Sequence, residues 1–491
     1  MARRAGIIRI SDFSGGEAAT ASLGSMNPKF SSLLQNCYVS DRGGVAKIPG
    51  YASVNTTAVA ETLTSGFEFR KSDGISILLA AGGGKIYKVD GTSLTAIKTG
   101  LSASATVAFA SMNNLCLMVN GTDPPMKYDG TTVSALGGSP PATASLVHVH
   151  KSRVWMIENG NQMLATHSAL ANPEDYTTAG NAGYFDFKTI LRRGDRLMGM
   201  ASFAEFLIFF FQDTIVAYSG SNPTASGDFR IDQIIEGVGF VWPGSGLTVG
   251  TDMLVLSKSG MKSFKQIIAT GNMQVGSVSD PIAPTLRDKI AASPAGPFSL
   301  VHYAKLGMVL AVVGADVFVY SYTPKAWSRI TGSDLKGFFA TAGGAVYGVG
   351  TGRVFAFDSG WTFAGAEFTS RWETAWIPLS RDGRKGYPKR MEILNQPGAV
   401  TTVTMSARYD MNMTASENTQ SFMMEPMPSL MDEPVTDIWE NVFLMDHGVL
   451  EPVRLPLFAG GRVMQMAFSE QSSKGPVEFN DITLHVVVGG A

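Results

Sequence analysis

The sequence predicts an all-β chain: a β-propeller-like domain of six or seven blades, an N-terminal arm before it and a β-sandwich-like domain after it. Three observations predict this. First, seven short segments share one cadence of β-branched and aromatic residues closed by a Gly, Asp or Asn turn. They are residues 84–91, 126–130, 153–157, 214–220, 261–264, 316–320 and 353–358. Their spacing of about 35 to 60 residues is that of one propeller blade or a similar β-unit. Second, the chain has 54 glycines and only 16% charged residues, a composition of many short strands and tight turns with much surface held against protein. Third, no heptad and no long amphipathic helix interrupts the pattern.

Taken in order, residues 1–55 are rich in Gly and Ser and read as an extended arm. A short helical piece is expected at Asn27–Gln35, because Asn27-Pro28 offers an N-cap and a first turn. Residues 56–365 carry the repeating cadence. In Val317-Phe318-Val319-Tyr320 and Val354-Phe355-Ala356-Phe357 both strand faces are apolar, as in blades packed on each side. From 366 to 491 the strand candidates lengthen, at 399–408, 461–468 and 482–488, which predicts a separate sandwich. A Met- and Pro-rich stretch from Met405 to Met445 lies between them and reads as a long loop.

With 491 residues the chain exceeds one core. Its net charge of −2 advertises neither nucleic-acid nor anionic-membrane binding as a whole. Cys37 and Cys116 sit among apolar neighbours and read as buried, inert thiols suited to reducing cytosol. No secretion signal or membrane anchor is visible. The longest apolar run, Phe206 to Phe211, has the length of a buried strand.

No nucleophile elbow, phosphate-binding loop or HExxH is present, and Gly82-Gly83-Gly84-Lys85 reads as a blade turn. His148 and His150 share a strand face without a partner at ligand spacing. Asp123, Asp129 and Asp175 read as turn residues. The expectation is a non-enzyme with no catalytic residues, no metal and no cofactor. Two charge features stand out. Glu425, Asp432, Glu433, Asp437, Glu440, Asp446 and Glu451 form a stretch without Lys or Arg. It is either a solvated acidic loop or a wall that like charge keeps free of passing DNA. Arg381, Arg384, Lys385, Lys389 and Arg390 form a basic contact loop, for phosphate or for a neighbouring subunit.

The stretch Asp12-Phe13-Ser14-Gly15-Gly16-Glu17, then Leu34-Gln35-Asn36-Cys37 and Arg42-Gly43-Gly44-Val45-Ala46-Lys47-Ile48-Pro49-Gly50, resembles the opening of short-tailed phage tail nozzles. That family is also called tail tubular protein B or packaged-DNA stabilisation protein. Downstream, Arg153-Val154-Trp155, Ser168-Ala169-Leu170-Ala171-Asn172-Pro173-Glu174-Asp175-Tyr176, Gly194-Asp195-Arg196-Leu197, Gly237-Val238-Gly239 and Ala326-Trp327-Ser328 extend the similarity over about residues 10–380. The resemblance implies a virion protein assembled in the host cytoplasm. It would form a ring of six subunits below the portal and adaptor, retain packaged double-stranded DNA and pass it at ejection without sequence specificity. It further implies contacts with tail adaptor and fibre or spike proteins. Asn36, Gly43, Gly44, Pro49 and Gly50 read as architectural residues of the motif. A second reading is a carbohydrate- or receptor-binding propeller at the tail tip, with Trp242, Trp361, Trp372 and Trp376 stacking on sugars.

Overall fold

The computed structural model describes residues 4–488, apart from 21, 23, 192–194, 226–227, 267–272, 295, 398, 414–417 and 425–451. Seven four-stranded antiparallel blades account for residues 65–357 together with Tyr51–Ser53. Blade 1 comprises Ser65–Arg70, Ser76–Gly82, Lys85–Asp90 and Ser93–Lys98. Blades 2 to 6 cover 108–135, 144–186, 197–236, 246–277 and 298–330 in the same up-and-down order. Blade 7 takes Gly337–Ala340, Val346–Val349 and Val354–Phe357 from its own stretch, and its outer strand is Tyr51–Ser53. The first strand of each blade contacts the first strand of the next, and blade 7 returns to blade 1, so the ring closes.

Strand composition explains the packing. In blade 6, Val317 and Val319 point into a core shared with Phe338, Val346 and Phe355 of blade 7. The alternate residues Phe318 and Tyr320 enter a core with Leu254, Leu256 and Met261 of blade 5. Period-2 alternation therefore feeds two interblade cores from one strand, which requires apolar residues on both faces. Blade 4 repeats this with Phe206–Phe211, all six buried. Ile208 and Phe210 face Met253 and Phe264 of blade 5, while Leu207, Phe209 and Phe211 face Trp155 and Ile157 of blade 3. Each such side chain contributes about 1.5–3 kcal/mol of burial.

The second module is a sandwich of two sheets over one core. One sheet contains Arg4–Ile10, Cys37–Val39, Val45–Lys47, Gly386–Pro397, Val453–Pro456 and Val477–Val488. The other contains Phe30–Gln35, Thr369–Thr374, Thr401–Tyr409, Asn418–Met424 and Val463–Gln471. Leu34, Trp372, Met405, Met466, Met391, Ile482 and Leu484 meet between them. The second sheet also joins the outer strand of blade 6, Ala326–Ile330, through a parallel pairing of Gln35 with Arg329. The two modules thus share one continuous sheet.

Three expectations are corrected. The helical piece at Asn27–Gln35 is a turn followed by the strand Phe30–Gln35. Asn27 does make local bonds, Oδ1 accepting from Lys29 N at 3.1 Å. The pairing edge of Thr369–Thr374 then captures the following residues as strand. Residues 1–55, read as an arm, supply strands to both sandwich sheets and to blade 7. The stretch read as one loop from Met405 to Met445 includes much of Thr401–Tyr409 and all of Asn418–Met424, whose apolar residues fill the core. One α-helix, Ala283–Ala292, buries Leu286 and Ile290 beside blade 5. No helix among the described residues is long and apolar enough to cross a membrane.

Candidate functional site: a basic sheet face and a pinned junction

The sandwich sheet that carries Gly386–Pro397 buries one face, with Met391, Ile393, Ile482, Leu484 and Leu455 in the core. Its opposite face is open. Cross-strand register lays residues in rows there: Arg9, Thr483, Glu392 and Arg454 in one, Ile7, His485 and Arg390 in the next. Glu392 lies 2.9 Å from Arg390 Nη2, 3.5 Å from Arg454 Nε and 3.5 Å from His485 Nε2. Arg9 Nε donates to Asp481 Oδ2 at 2.5 Å. Beside these charges, Ile7, Tyr387 and Phe458 are 69%, 38% and 77% exposed.

The basic contact loop adjoins this face. Arg381, Arg384, Lys385, Lys389 and Arg390 are all exposed. Arg384 pairs with Asp382 at 3.0 Å, and Lys385 Nζ lies 5.6 Å from the Tyr387 ring centroid. Arg381 and Lys389 have no ion pair within 4.0 Å among the described residues. Together, Arg9, Arg381, Arg384, Lys385, Lys389, Arg390 and Arg454 face Asp382, Glu392 and Asp481, seven cations against three carboxylates. This is a local surplus of positive charge on a chain whose net charge is −2. The acidic residues Glu425, Asp432, Glu433, Asp437, Glu440, Asp446 and Glu451 lie outside the described residues.

Arg9, Arg454, Asp481 and His485 were not among the residues singled out by sequence. The alternation Ile8-Arg9-Ile10 is the one local sign that Arg9 stands on an open face. Its neighbours come from more than 380 residues away and meet it only through register.

Of the motif residues, Asn36 and Gly50 lie where propeller meets sandwich, and Gly43 and Gly44 lie in a turn of the sandwich sheet. Asn36, buried and at φ 54°, accepts the Thr331 N–H on Oδ1 at 2.8 Å and donates from Nδ2 to Thr369 O at 2.8 Å. Thr331 follows blade 6, and Thr369 begins a sandwich strand. Gly43 adopts φ 82° in the turn before Val45–Lys47. At Gly44 a Cβ would lie 2.7 Å from the Glu478 carboxylate. At Gly50, after Pro49, it would stand 2.2 Å from Thr362 O, where only hydrogen fits. Nearby, Lys47 and Glu470 form an ion pair buried in the sandwich.

The remaining candidates are structural. His148 Nε2 and His150 Nδ1 each lie 2.8 Å from Ser202 Oγ, joining blades 3 and 4. Burial holds both imidazoles at a pKa of about 4, with His150 adding to the effect on His148 and Lys151 to that on His150. Among the described residues no group of three His, Cys, Asp or Glu could hold a metal. Asp129 accepts from Thr131 and Thr132 N–H, and Asp175 from Thr177 and Thr178 N–H, as turn residues do. Burial pushes both thiols, Cys37 and Cys116, up to about 12. Trp372 and Trp376 are buried, so neither presents a face for a sugar; Trp242 packs on Phe298 at 6.0 Å and, like Trp361, is half-buried. A cleft of about 840 Å³ between blades 5 and 6 is lined by Asp252, His302, Tyr320, Tyr322 and Lys325.

No protein-family model matches the chain, and no curated protein sequence matches it. Solved structures do. The extracellular domain of a hybrid two-component system from B. thetaiotaomicron aligns at 13% identity and a TM-score of 0.45, over 70% of this chain and 43% of that one. The chain thus spans less than half of that structure's length. The WD40 β-propeller domain of Doa1 aligns at 10% identity and a TM-score of 0.41, over 63% and 96%. BamB from Moraxella catarrhalis aligns at 10% identity and a TM-score of 0.39, over 73% and 97%.

Proposed function

We propose that this chain is a non-catalytic wall subunit of a short-tailed phage tail. In this reading copies assemble into a nozzle ring below portal and adaptor, hold packaged DNA and pass it at ejection. The carrying observation is where the motif residues sit. Of the residues that carry the sequence resemblance, Asn36 ties blade 6 to the sandwich, Gly50 packs on Thr362 between blade 7 and the sandwich, and Gly44 turns tightly against Glu478 within the sandwich. They serve rigidity, which is what a conduit under pressure requires. The acidic residues between 425 and 451 are assigned to the lumen, where like charge keeps the duplex from adhering. Electron microscopy of the purified chain and of virions tests the reading. A ring of six copies in the tail supports it; a monomer at all concentrations, absent from virions, overturns it.

The cleft between blades 5 and 6 favours a second reading, a carbohydrate-binding module. Tyr320 and Tyr322 offer ring edges and hydroxyls beside the Asp252 carboxylate. Binding on a glycan array that is lost in Tyr322→Ala would favour it over the nozzle.

A further inference from the structure

The open basic face of the sandwich sets apolar side chains and cations side by side. Register lays Ile7, His485 and Arg390 in one row and Ala5, Val487 and Tyr387 in the next. Leu457 N donates to Lys389 O at 3.1 Å, which seats the following residue, Phe458, at the same end of the sheet. A Cβ at Gly460 would meet the Tyr387 ring at 2.5 Å, so that loop is packed against Tyr387. Leu457 is buried in the core, and the loop that anchors it turns Phe458 outward. Ile7, Tyr387 and Phe458 therefore project from one end of the face. The cations there are also the least compensated. Glu392 engages Arg390, Arg454 and His485, and Asp481 engages Arg9. Lys385, against the Tyr387 ring, and Lys389 have no carboxylate partner among the described residues.

We propose that this face docks on the surface of an anionic lipid membrane. Two effects act together. Lysine and arginine are drawn to anionic headgroups over about a Debye length. Apolar side chains standing among them enter the boundary between headgroups and acyl chains. The charge complementarity is local, on a chain whose net charge is −2. A nucleic-acid duplex offers phosphate but would leave Ile7 and Phe458 with nothing to contact. A protein partner takes its aromatic anchors in fitted pockets. Here the apolar side chains project from a flat sheet, with Ile7 and Phe458 largely clear of the chain. A bilayer interface accepts projecting side chains without fitted pockets. The proposal does not rest on the ring reading and holds for a single chain as for an assembly.

The test is cosedimentation of the full chain with vesicles of equal parts phosphatidylcholine and phosphatidylglycerol, beside vesicles of phosphatidylcholine alone. Binding is expected to the anionic vesicles only and should weaken as salt rises. It should fall about tenfold or more in Lys385→Glu/Lys389→Glu. Ile7→Ser/Phe458→Ser leaves the charge unchanged and should weaken binding by a similar factor, which separates insertion from attraction alone. All four side chains are exposed, and circular dichroism checks that both variants fold. A parent chain that stays in the supernatant with anionic vesicles overturns the proposal. Binding retained in both variants also overturns it, because another surface then holds the vesicle. Binding that survives Ile7→Ser/Phe458→Ser but yields to polyglutamate or duplex DNA overturns it too, and assigns the face to an acidic protein or a nucleic acid. Ring formation is scored separately by microscopy, and none of these outcomes alters it.

Discussion

Lys47 Nζ donates to Glu470 Oε2 at 2.8 Å inside the sandwich, with the two side chains 1% and 4% exposed. Thr401 Oγ1 donates to Glu470 Oε1 at 2.9 Å, and Lys47 lies 4.7 Å from the Phe368 ring centroid. Lys47 comes from the motif segment and Glu470 from the C-terminal strand Val463–Gln471. Removing one partner leaves an uncompensated buried charge. Lys47→Met is expected to cost about 3–5 kcal/mol of folding stability, and Lys47→Met/Glu470→Met to recover most of it. Denaturant unfolding of the two variants checks this.

Asn36 spans the junction with two side-chain hydrogen bonds and a left-handed backbone. Asn36→Gly keeps the backbone and loses the bonds, so it is expected to cost about 1–3 kcal/mol. Asn36→Ala should cost more, because alanine also resists φ 54°. Hydrogen exchange should quicken at Thr331, whose N–H loses its acceptor, before it quickens in distant blades such as blade 2.

His148, His150 and His167 are each held at a pKa of about 4, chiefly by burial. Around them, Lys151 and Arg153 oppose protonation, and Glu205 favours it at His150. The unfolded chain takes up protons near the ordinary value of 6.5, before the folded one does. Stability is therefore full above pH 6.5 and falls as pH drops from 6.5 to 4, where the unfolded state binds more protons. Unfolding free energies measured across that window should decline, and His148→Gln/His150→Gln should flatten the slope.

Cys37 and Cys116 are buried, and burial suppresses their thiolates. In native protein neither is expected to react with a thiol reagent within hours, whereas both should react within minutes in denaturant. A fast native thiol would contradict the packing around Cys37 or Cys116.

Much of the propeller was legible in the sequence. Each of the seven cadence segments falls in a different blade, six of them on the third strand and 153–157 on the second. They were visible because aromatic and aliphatic residues recur at their buried positions, and a turn closes each one. The N-terminal strands were not visible. Arg4–Ile10 pairs with residues 482–488, and Phe30–Gln35 with 369–374. Nothing within a local window announces partners so distant, and Asn27-Pro28 gave a true local turn that tertiary pairing overrode. Arg390 was found as part of a charge cluster, but its place beside the row of Arg9, Glu392 and Arg454 exists only once four strands are in register.

The outer strand of blade 7 is Tyr51–Ser53, paired with Phe355, Ala356 and Phe357. A ribosome therefore releases the start of the circle about 300 residues before its closing partner exists. Throughout that interval Tyr51–Ser53 waits with its hydrogen-bonding edge bare, and Arg4–Ile10 waits longer still, until Val488 is made. A fragment that ends before Val354–Phe357 is an open arc with Tyr51–Ser53 unpaired, and one that ends before Val477–Val488 leaves Arg4–Ile10 bare. Such incomplete products would be left out of whatever is built from the chain.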